Sequence, residues 1–292
     1  MNSHDPLMRS VSAVRTSAVR GGHRPEPLAA PPPQRPTVSA VIPTLNEAEN
    51  LRWLLPRLTE VDEVIIVDGE STDGSAEIAR LVRPDAIILS EPPSGKGTAM
   101  RTGMAAASCD VIIMLDADGS MDPAEFDSFL ALIVRGFDFV KGSRYACGGG
   151  SDDLTGVRSV GNKLLTRLAN LLYRTRWSDL CYGFVAMRRS SVHHLDLRST
   201  GFEIETEMCV NAVRAGLRMA EVASHESDRR FGVSNLNTFR DGWRVLKTMI
   251  RLRFRGALER QPVTVAPLTG PEQLPGWRPT PALAGTDGQQ AS

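Results

Sequence analysis

Asp116 and Asp118 stand two residues apart at the end of an apolar run, Val111-Ile112-Ile113-Met114-Leu115. In a strand, that spacing sends both carboxylates to one face. Such a run fits a strand buried on both faces of a parallel sheet, and ligands of open α/β sheets gather at the carboxyl ends of such strands. Two like charges beside a core are costly unless a cation joins them. A hard divalent ion that takes its remaining ligands from substrate phosphates meets that need. Helix capping is the competing role, but Asp122 and Pro123 already supply a favoured N-cap and N1 pair. The two aspartates are therefore expected to hold Mg2+ or Mn2+ on a diphosphate.

Polar groups recur at other strand ends. The run at 38–42 leads into Pro43-Thr44-Leu45-Asn46-Glu47, and the run at 64–67 into Asp68-Gly69-Glu70-Ser71-Thr72-Asp73-Gly74-Ser75. A carboxylate such as Asp68 can accept hydrogen bonds from a base or ribose at that edge. Ordinary turn and cap chemistry competes for Asn46 and for residues 71–75. Ser94-Gly95-Lys96-Gly97-Thr98 precedes a helical pattern, which places Lys96 beside a helix N-terminus where phosphate binds. It is no Walker loop, because Ser90 and Gly97 stand where that pattern needs Gly and Ser or Thr. No dinucleotide fingerprint is present either.

The elements that carry these groups alternate. Apolar runs at 38–42, 64–67, 86–89 and 111–115 are separated by helical patterns at 47–58, 75–82 and 98–107. That rhythm predicts an α/β fold, a Rossmann-like, mostly parallel sheet with helices on both faces. With 34 basic and 34 acidic residues among 292, the chain has no electrostatic footprint for nucleic acid. Cys109, Cys147, Cys181 and Cys209 have neither zinc-site nor disulfide-framework spacing and suit a reducing cytoplasm. No apolar run is long enough to span a bilayer, and the N-terminus lacks a signal-peptide core. Residues 1–36 and 261–292, rich in Pro with Arg, Ser or Gly, are expected to be disordered tails around a catalytic domain at 37–238. A presequence is the alternative for the first tail, opposed by its prolines.

Between domain and tail, residues 239–260 predict an amphipathic helix. Phe239, Trp243, Leu246, Ile250 and Phe254 recur at spacings of four and three, with Arg240, Arg244, Lys247, Arg251 and Arg255 on the flank. Either the apolar stripe packs on the domain while the basic residues are solvated, or the helix docks reversibly on an anionic membrane surface.

The motifs Val41-Ile42-Pro43-Thr44-Leu45-Asn46-Glu47, Val67-Asp68-Gly69, Gly95-Lys96-Gly97-Thr98-Ala99, Asp116/Asp118 and Gly142-Ser143-Arg144-Tyr145 resemble, in order, those of family 2 glycosyltransferases. The resemblance covers residues 38 to 255 and is nearest to the dolichol- or polyprenyl-phosphate hexosyltransferase branch. It implies an A-type glycosyltransferase fold, a GDP- or UDP-hexose donor, a divalent metal and inversion at the anomeric carbon. By that likeness Pro43, Asn46, Glu47, Asp68 and Lys96 line the nucleotide pocket, and Asp116 and Asp118 hold the metal. Arg144, Arg158 and Arg229 fall where that branch binds acceptor phosphate.

A phosphate-monoester acceptor is mostly dianionic at neutral pH and needs cations rather than a base. A hydroxyl acceptor would need one, and Asp179 or Glu205 resembles the acidic positions that face the acceptor. Glu203, Glu205 and Glu207 would share a face in a strand, whereas a helix would scatter them and leave most solvated. His193, His194 and His225 lack metal-ligand spacing. Asn235 and Ser120 depart from the lipid-phosphate pattern, where Lys and Gln are common. Polyprenyl phosphate leads as acceptor; a hydroxyl of a soluble small molecule is the alternative, and a non-catalytic nucleotide-sugar binder a further one.

Overall fold

A computed structural model describes residues 35–255 apart from Asn235. The two tails, save Arg35 and Pro36, lie outside the described residues, as do Asn235 and the last five residues of the expected helix. In chain order the elements are β1 (Val38–Thr44), α1 (Ala48–Leu54), β2 (Glu63–Asp68), α2 (Ser75–Val82), β3 (Ile87–Ser90), α3 (Lys96–Ala106) and β4 (Val111–Met114). Then follow α4 (Phe126–Val134), β5 (Phe139–Ser143), β6 (Gly150–Ser151), α5 (Gly156–Tyr173), β7 (Val185–Arg188) and α6 (Ile204–Arg214). The described chain closes with β8 (Met219–Ala223), β9 (His225–Glu226) and α7 (Thr238–Arg253).

Seven strands form one sheet in the order β3-β2-β1-β4-β7-β5-β8. The first four pair in parallel, as βαβ crossovers require. β7 runs antiparallel to both β4 and β5, and β5 pairs in parallel with β8. The sheet is thus mostly parallel, with one reversed strand at its middle. β6 and β9 pair as a small parallel ribbon.

Period-two alternation gives the central strands β1, β2 and β4 two buried faces. Val41, Ile65, Val67, Ile112 and Met114 enter the core under α3, α5, α6 and α7. Ile42, Val64, Ile66, Val111 and Ile113 enter the opposite core with α1 and α4. Truncating a fully buried residue such as Ile66 or Ile113 to Ala costs about 2–5 kcal/mol.

Three expectations are corrected here. β4 stops at Met114, so Asp116 and Asp118 lie in the following turn, and their approach is set by that turn rather than by strand pleating. Glu203 caps α6, while Glu205 and Glu207 occupy its first turn. These residues are scattered by the helix as anticipated, yet all three are buried rather than solvated. The apolar stripe of α7 does not pack on the domain: Phe239, Trp243, Ile250 and Phe254 are exposed, only Leu246 is half-buried, and Val245, Met249 and Leu252 make the contact instead. Four of the five basic residues have acidic partners, Arg240 with Asp241, Arg244 with Glu203, Arg251 with Glu207 and Arg255 with Asp196. Asp122 does cap the turn before α4, accepting from the Ala124 amide at 3.0 Å. Among the described residues no helix is long and apolar enough to cross a membrane.

Candidate active site

The loops after β1 and β2 brace one another at the carboxyl edge. The Asn46 amide donates to Ser71 Oγ at 2.8 Å, and Asn46 Oδ1 accepts from the Thr72 amide at 2.9 Å. Asn46 takes a left-handed φ of 57°, which Asn tolerates better than most residues. Its side chain thus holds the second loop in place. The Glu47 amide donates to Ser75 Oγ, and the Ala48 amide to Asp73. Pro43 pairs with Val67 within the ladder. Asp68 ends β2 with one carboxylate oxygen accepting from the Ser71 amide, while Oδ1 is buried without a hydrogen-bond partner. A buried acceptor left open costs free energy unless a donor meets it.

Lys96 is the first residue of α3, aimed by a close helix start. Gly97 donates its amide to Thr200 O at 2.8 Å, and a Cβ there would lie 2.6 Å from Ser199 O. Gly95, at φ 106°, leaves no room for a Cβ beside the Thr200 carbonyl. These glycines thus seat α3 against residues 199–201. Lys96 Nζ lies 2.6 Å from Asp116 Oδ1 and 2.7 Å from Glu205 Oε1. Burial would lower the ammonium pKa, but the two carboxylates raise it above the ordinary lysine value. Burial pushes the Asp116 and Glu205 pKa values up, with Lys96 opposing.

Asp118 has a different cation. Arg229 donates from Nη1 to Asp118 Oδ2 at 3.3 Å and from Nη2 to Glu47 Oε1. The loop that carries Arg229 is clipped over the edge: Ser227 donates to Ser120 O, Arg230 to Asp118 O, and Phe231 to Asn50 Oδ1. Trp53 sits between the guanidinium groups of Arg57 and Arg230, 4.0 Å and 4.4 Å from its ring centre. Burial raises the Glu47 pKa, opposed by the Asn50 hydrogen bond and the Arg229 charge.

Asp179 and Arg144 form a separate buried unit. Arg144 Nε and Nη2 donate to the two oxygens of Asp179 at 2.7 Å and 3.0 Å, and Nη1 donates to Glu226 at 3.0 Å. Asn162 Nδ2 also donates to Asp179. Burial would raise the Asp179 pKa, but hydrogen bonding and charge from Arg144 outweigh it and hold the carboxyl below its usual range. A fully buried carboxylate fixed by a guanidinium is poorly placed to take a proton from an acceptor. The expectation of Asp179 as base is corrected on that ground, and Arg144 is a matched structural cation. Arg158 pairs with Asp153 at 3.2 Å on the first turn of α5 and is not drawn into the Lys96 or Arg229 clusters.

Contacts therefore join Lys96 with Asp116 and Glu205, and Arg229 with Asp118 and Glu47, while Asp68 stands at the end of β2 on the same carboxyl edge. The sequence did not single out Glu226 or Asn50. Asn50 stands three residues after Glu47, a local spacing that could have flagged it; Glu226 has no local signal. Asp116 and Asp118 side chains are 29% and 21% exposed, so each is open enough for an ion yet backed by protein. No group of three or more His, Cys, Asp or Glu suited to a metal occurs among the described residues. Two hard carboxylates fit Mg2+ or Mn2+ only if diphosphate and water complete the shell, which is how such ions are commonly held.

Residues 39–196 match the model of Glycosyl transferase family 2. The chain is 30% identical to Glycosyltransferase AglJ of Haloferax volcanii, over 72% of this chain and 70% of that protein. It is 33% identical to the Low-salt glycan biosynthesis hexosyltransferase Agl6 of the same organism, over 74% of this chain but only 53% of Agl6. Glucosyl-3-phosphoglycerate synthase of Mycobacterium tuberculosis, crystallised with Mn2+, UDP and phosphoglyceric acid, superposes with a TM-score of 0.60 at 20% identity, over 75% of this chain and 79% of that one. The sheet is that of the A-type glycosyltransferases, and the chain belongs to glycosyl transferase family 2.

Proposed function

We propose that this protein is an inverting hexosyltransferase that moves a hexose from a GDP- or UDP-hexose to polyprenyl phosphate. The observation that carries the donor half is that β2 and β4 both run parallel to β1, so the open acceptor of Asp68 and the Asp116/Asp118 turn lie at the same carboxyl edge. Asp68 receives the base or ribose, Pro43, Asn46 and Glu47 shape the pocket, and Lys96 and Arg229 turn from their carboxylates toward phosphate oxygens. Asp116 and Asp118 are the residues to hold Mg2+ or Mn2+, which when bound supplies Lewis acidity and a template for the diphosphate. Lys96 and Arg229 add positive charge where the leaving diphosphate gathers its own.

The acceptor half rests on Arg229, which reaches Asp118 and Glu47, while Arg158, paired with Asp153, stays a candidate by its motif position alone. Arg144 supports both indirectly by fixing Asp179 and Glu226. A dianionic acceptor phosphate attacks without a base. Glu205 favours a second reading. Burial raises its pKa with Lys96 opposing, and it sits beside Asp116 across the Lys96 ammonium, a place from which a carboxylate could serve a hydroxyl on a soluble molecule. The phosphoglyceric acid bound by the solved relative is an example of a small acidic acceptor.

The catalytic domain is taken as residues 37–238, working in the cytoplasm, with the helix at 239–260 making reversible contact with a membrane surface. A screen of GDP- and UDP-hexoses with Mg2+ or Mn2+, against polyprenyl phosphate and cell-extract small molecules, reads the product by mass. A hexosyl phospholipid supports the first reading. Product on small-molecule hydroxyls alone overturns it.

A further inference from the structure

We infer that α5 joins α7 in one docking face for an anionic lipid bilayer. α5 carries Val157, Val160, Leu164 and Leu171 exposed at 62–78%, on positions that repeat at three, four and seven residues and so follow one side of the helix. Its inner side is the one that packs, through Ala169 and Tyr173. α7 lies against α5, and Tyr173 donates its hydroxyl to the Met249 carbonyl at 2.5 Å. The outward residues of α7 are Phe239, Trp243, Ile250 and Phe254, exposed at 46–83%. Two adjoining helices thus leave apolar side chains uncovered, more than the scattered apolar residues of an ordinary surface explain.

Charge names the occupant. α5 contains no Asp or Glu, and the sole acid of α7, Asp241, is only 3% exposed. Lys163 and Arg167 on α5, and Arg240, Lys247 and Arg253 on α7, are exposed among the apolar residues. Apolar side chains interspersed with cations, with no exposed anion on either helix and Asp153 and Asp196 paired with arginines beside them, match the boundary between anionic headgroups and acyl chains. A second copy of this chain would bring like charges together.

The face also continues toward the site. Between Arg229 and α7 the chain exposes Phe231 and Val233, at 50% and 83%. Resting on the proposed lipid-phosphate acceptor, this continuity places the acceptor's phosphate at Arg229 and its chain along the bilayer. Docking itself does not depend on that acceptor.

The full-length protein is sedimented with vesicles of phosphatidylcholine containing phosphatidylglycerol, and with phosphatidylcholine alone, at 0.15 M salt. The wild type should bind the anionic vesicles and bind the neutral ones more weakly. V160D/L164D/L171D should lower anionic-vesicle binding at least tenfold, and K163E/R167E/K247E by about two orders of magnitude. Leu164→Trp should raise it. Circular dichroism and thermal melts separate lost docking from lost folding, and Leu164→Trp tests the face without a burial penalty. Wild type that stays in the supernatant, or α5 variants that bind like wild type, overturns the inference. So does a dimer in light scattering that V160D/L164D/L171D dissociates. With a short-chain, water-soluble polyprenyl phosphate the α5 variants should turn over at the wild-type rate. Vesicle binding without any such turnover would count against the acceptor and leave the docking face standing.

Discussion

Replacing Lys96 by Met removes one ammonium from between two carboxylates. Asp116 and Glu205 each have an oxygen within 2.7 Å of the same Nζ, so those oxygens are no more than about twice that distance apart. At about 5 Å and an effective dielectric constant near 20, their repulsion is about 3 kcal/mol. The repulsion is felt most at pH 8, where carboxyls are ionised more fully than in acid. The lost ion pair brings the expected destabilisation to about 3–5 kcal/mol, nearer the lower figure because Asp116 is 29% exposed. In a domain of this size that lowers Tm by roughly 10 °C. Both carboxyls already have raised pKa values, so their contribution to folding improves as pH falls through the folded pKa and worsens as pH rises. The defect of Lys96→Met should therefore shrink at pH 5, and Lys96→Met/Glu205→Gln should recover most of it at pH 8. Urea unfolding of the three proteins at both pH values measures this. A loss below about 1 kcal/mol at pH 8, or one that does not vary with pH, refutes the electrostatic account of the centre.

Asp179→Asn should cost about 3–5 kcal/mol by leaving the buried Arg144 with Glu226 alone, and urea melts read it. Because the Asp179 pKa is depressed, its contribution is present above the unfolded carboxyl pKa and fades as pH falls through the folded one, so wild type and variant converge in acid. A variant of unchanged stability that loses only kcat would instead restore Asp179 as a base. Gly183→Ala places a Cβ 2.7 Å from Glu205 Oε1 and 3.1 Å from Lys96 Nζ, so about 1–3 kcal/mol of stability should be lost, together with transfer. Asp68→Ala should weaken nucleoside diphosphate binding about tenfold in calorimetry while the melting temperature changes little, since one of its oxygens has no protein partner to lose.

The parallel half of the sheet was legible because its strands are continuous Val and Ile runs separated by helical patterns. The sequence marked Asp68 at the end of β2, but it placed Asp116 at a strand end, whereas the turn after β4 carries it. The reversal of β7 was not legible, since a four-residue strand with two buried faces carries no mark of direction. The acids at 203–207 misled for a different reason. Their burial depends on Arg244 and Arg251, more than forty residues later, and on Lys96, more than a hundred earlier. Arg144 read as a phosphate cation from its motif, but its partner Asp179 becomes visible only when β5 and the chain before β7 are brought together. The stripe of α7 was read correctly as amphipathic, while the side that packs was rotated from the one its aromatic spacing suggested.

The central claim is that Asp116 and Asp118 hold a metal ion on the donor's diphosphate. It is tested most directly by titrating Mn2+ into the protein, followed by electron paramagnetic resonance, with and without GDP or UDP. With two protein carboxylates and no metal-suited group of three or more His, Cys, Asp or Glu among the described residues, Mn2+ should bind weakly alone and at least tenfold more tightly with nucleoside diphosphate present. Asp118→Ala should abolish that gain while the protein stays folded. An Asp118→Ala protein that binds Mn2+ and nucleoside diphosphate as the wild type does would contradict the account.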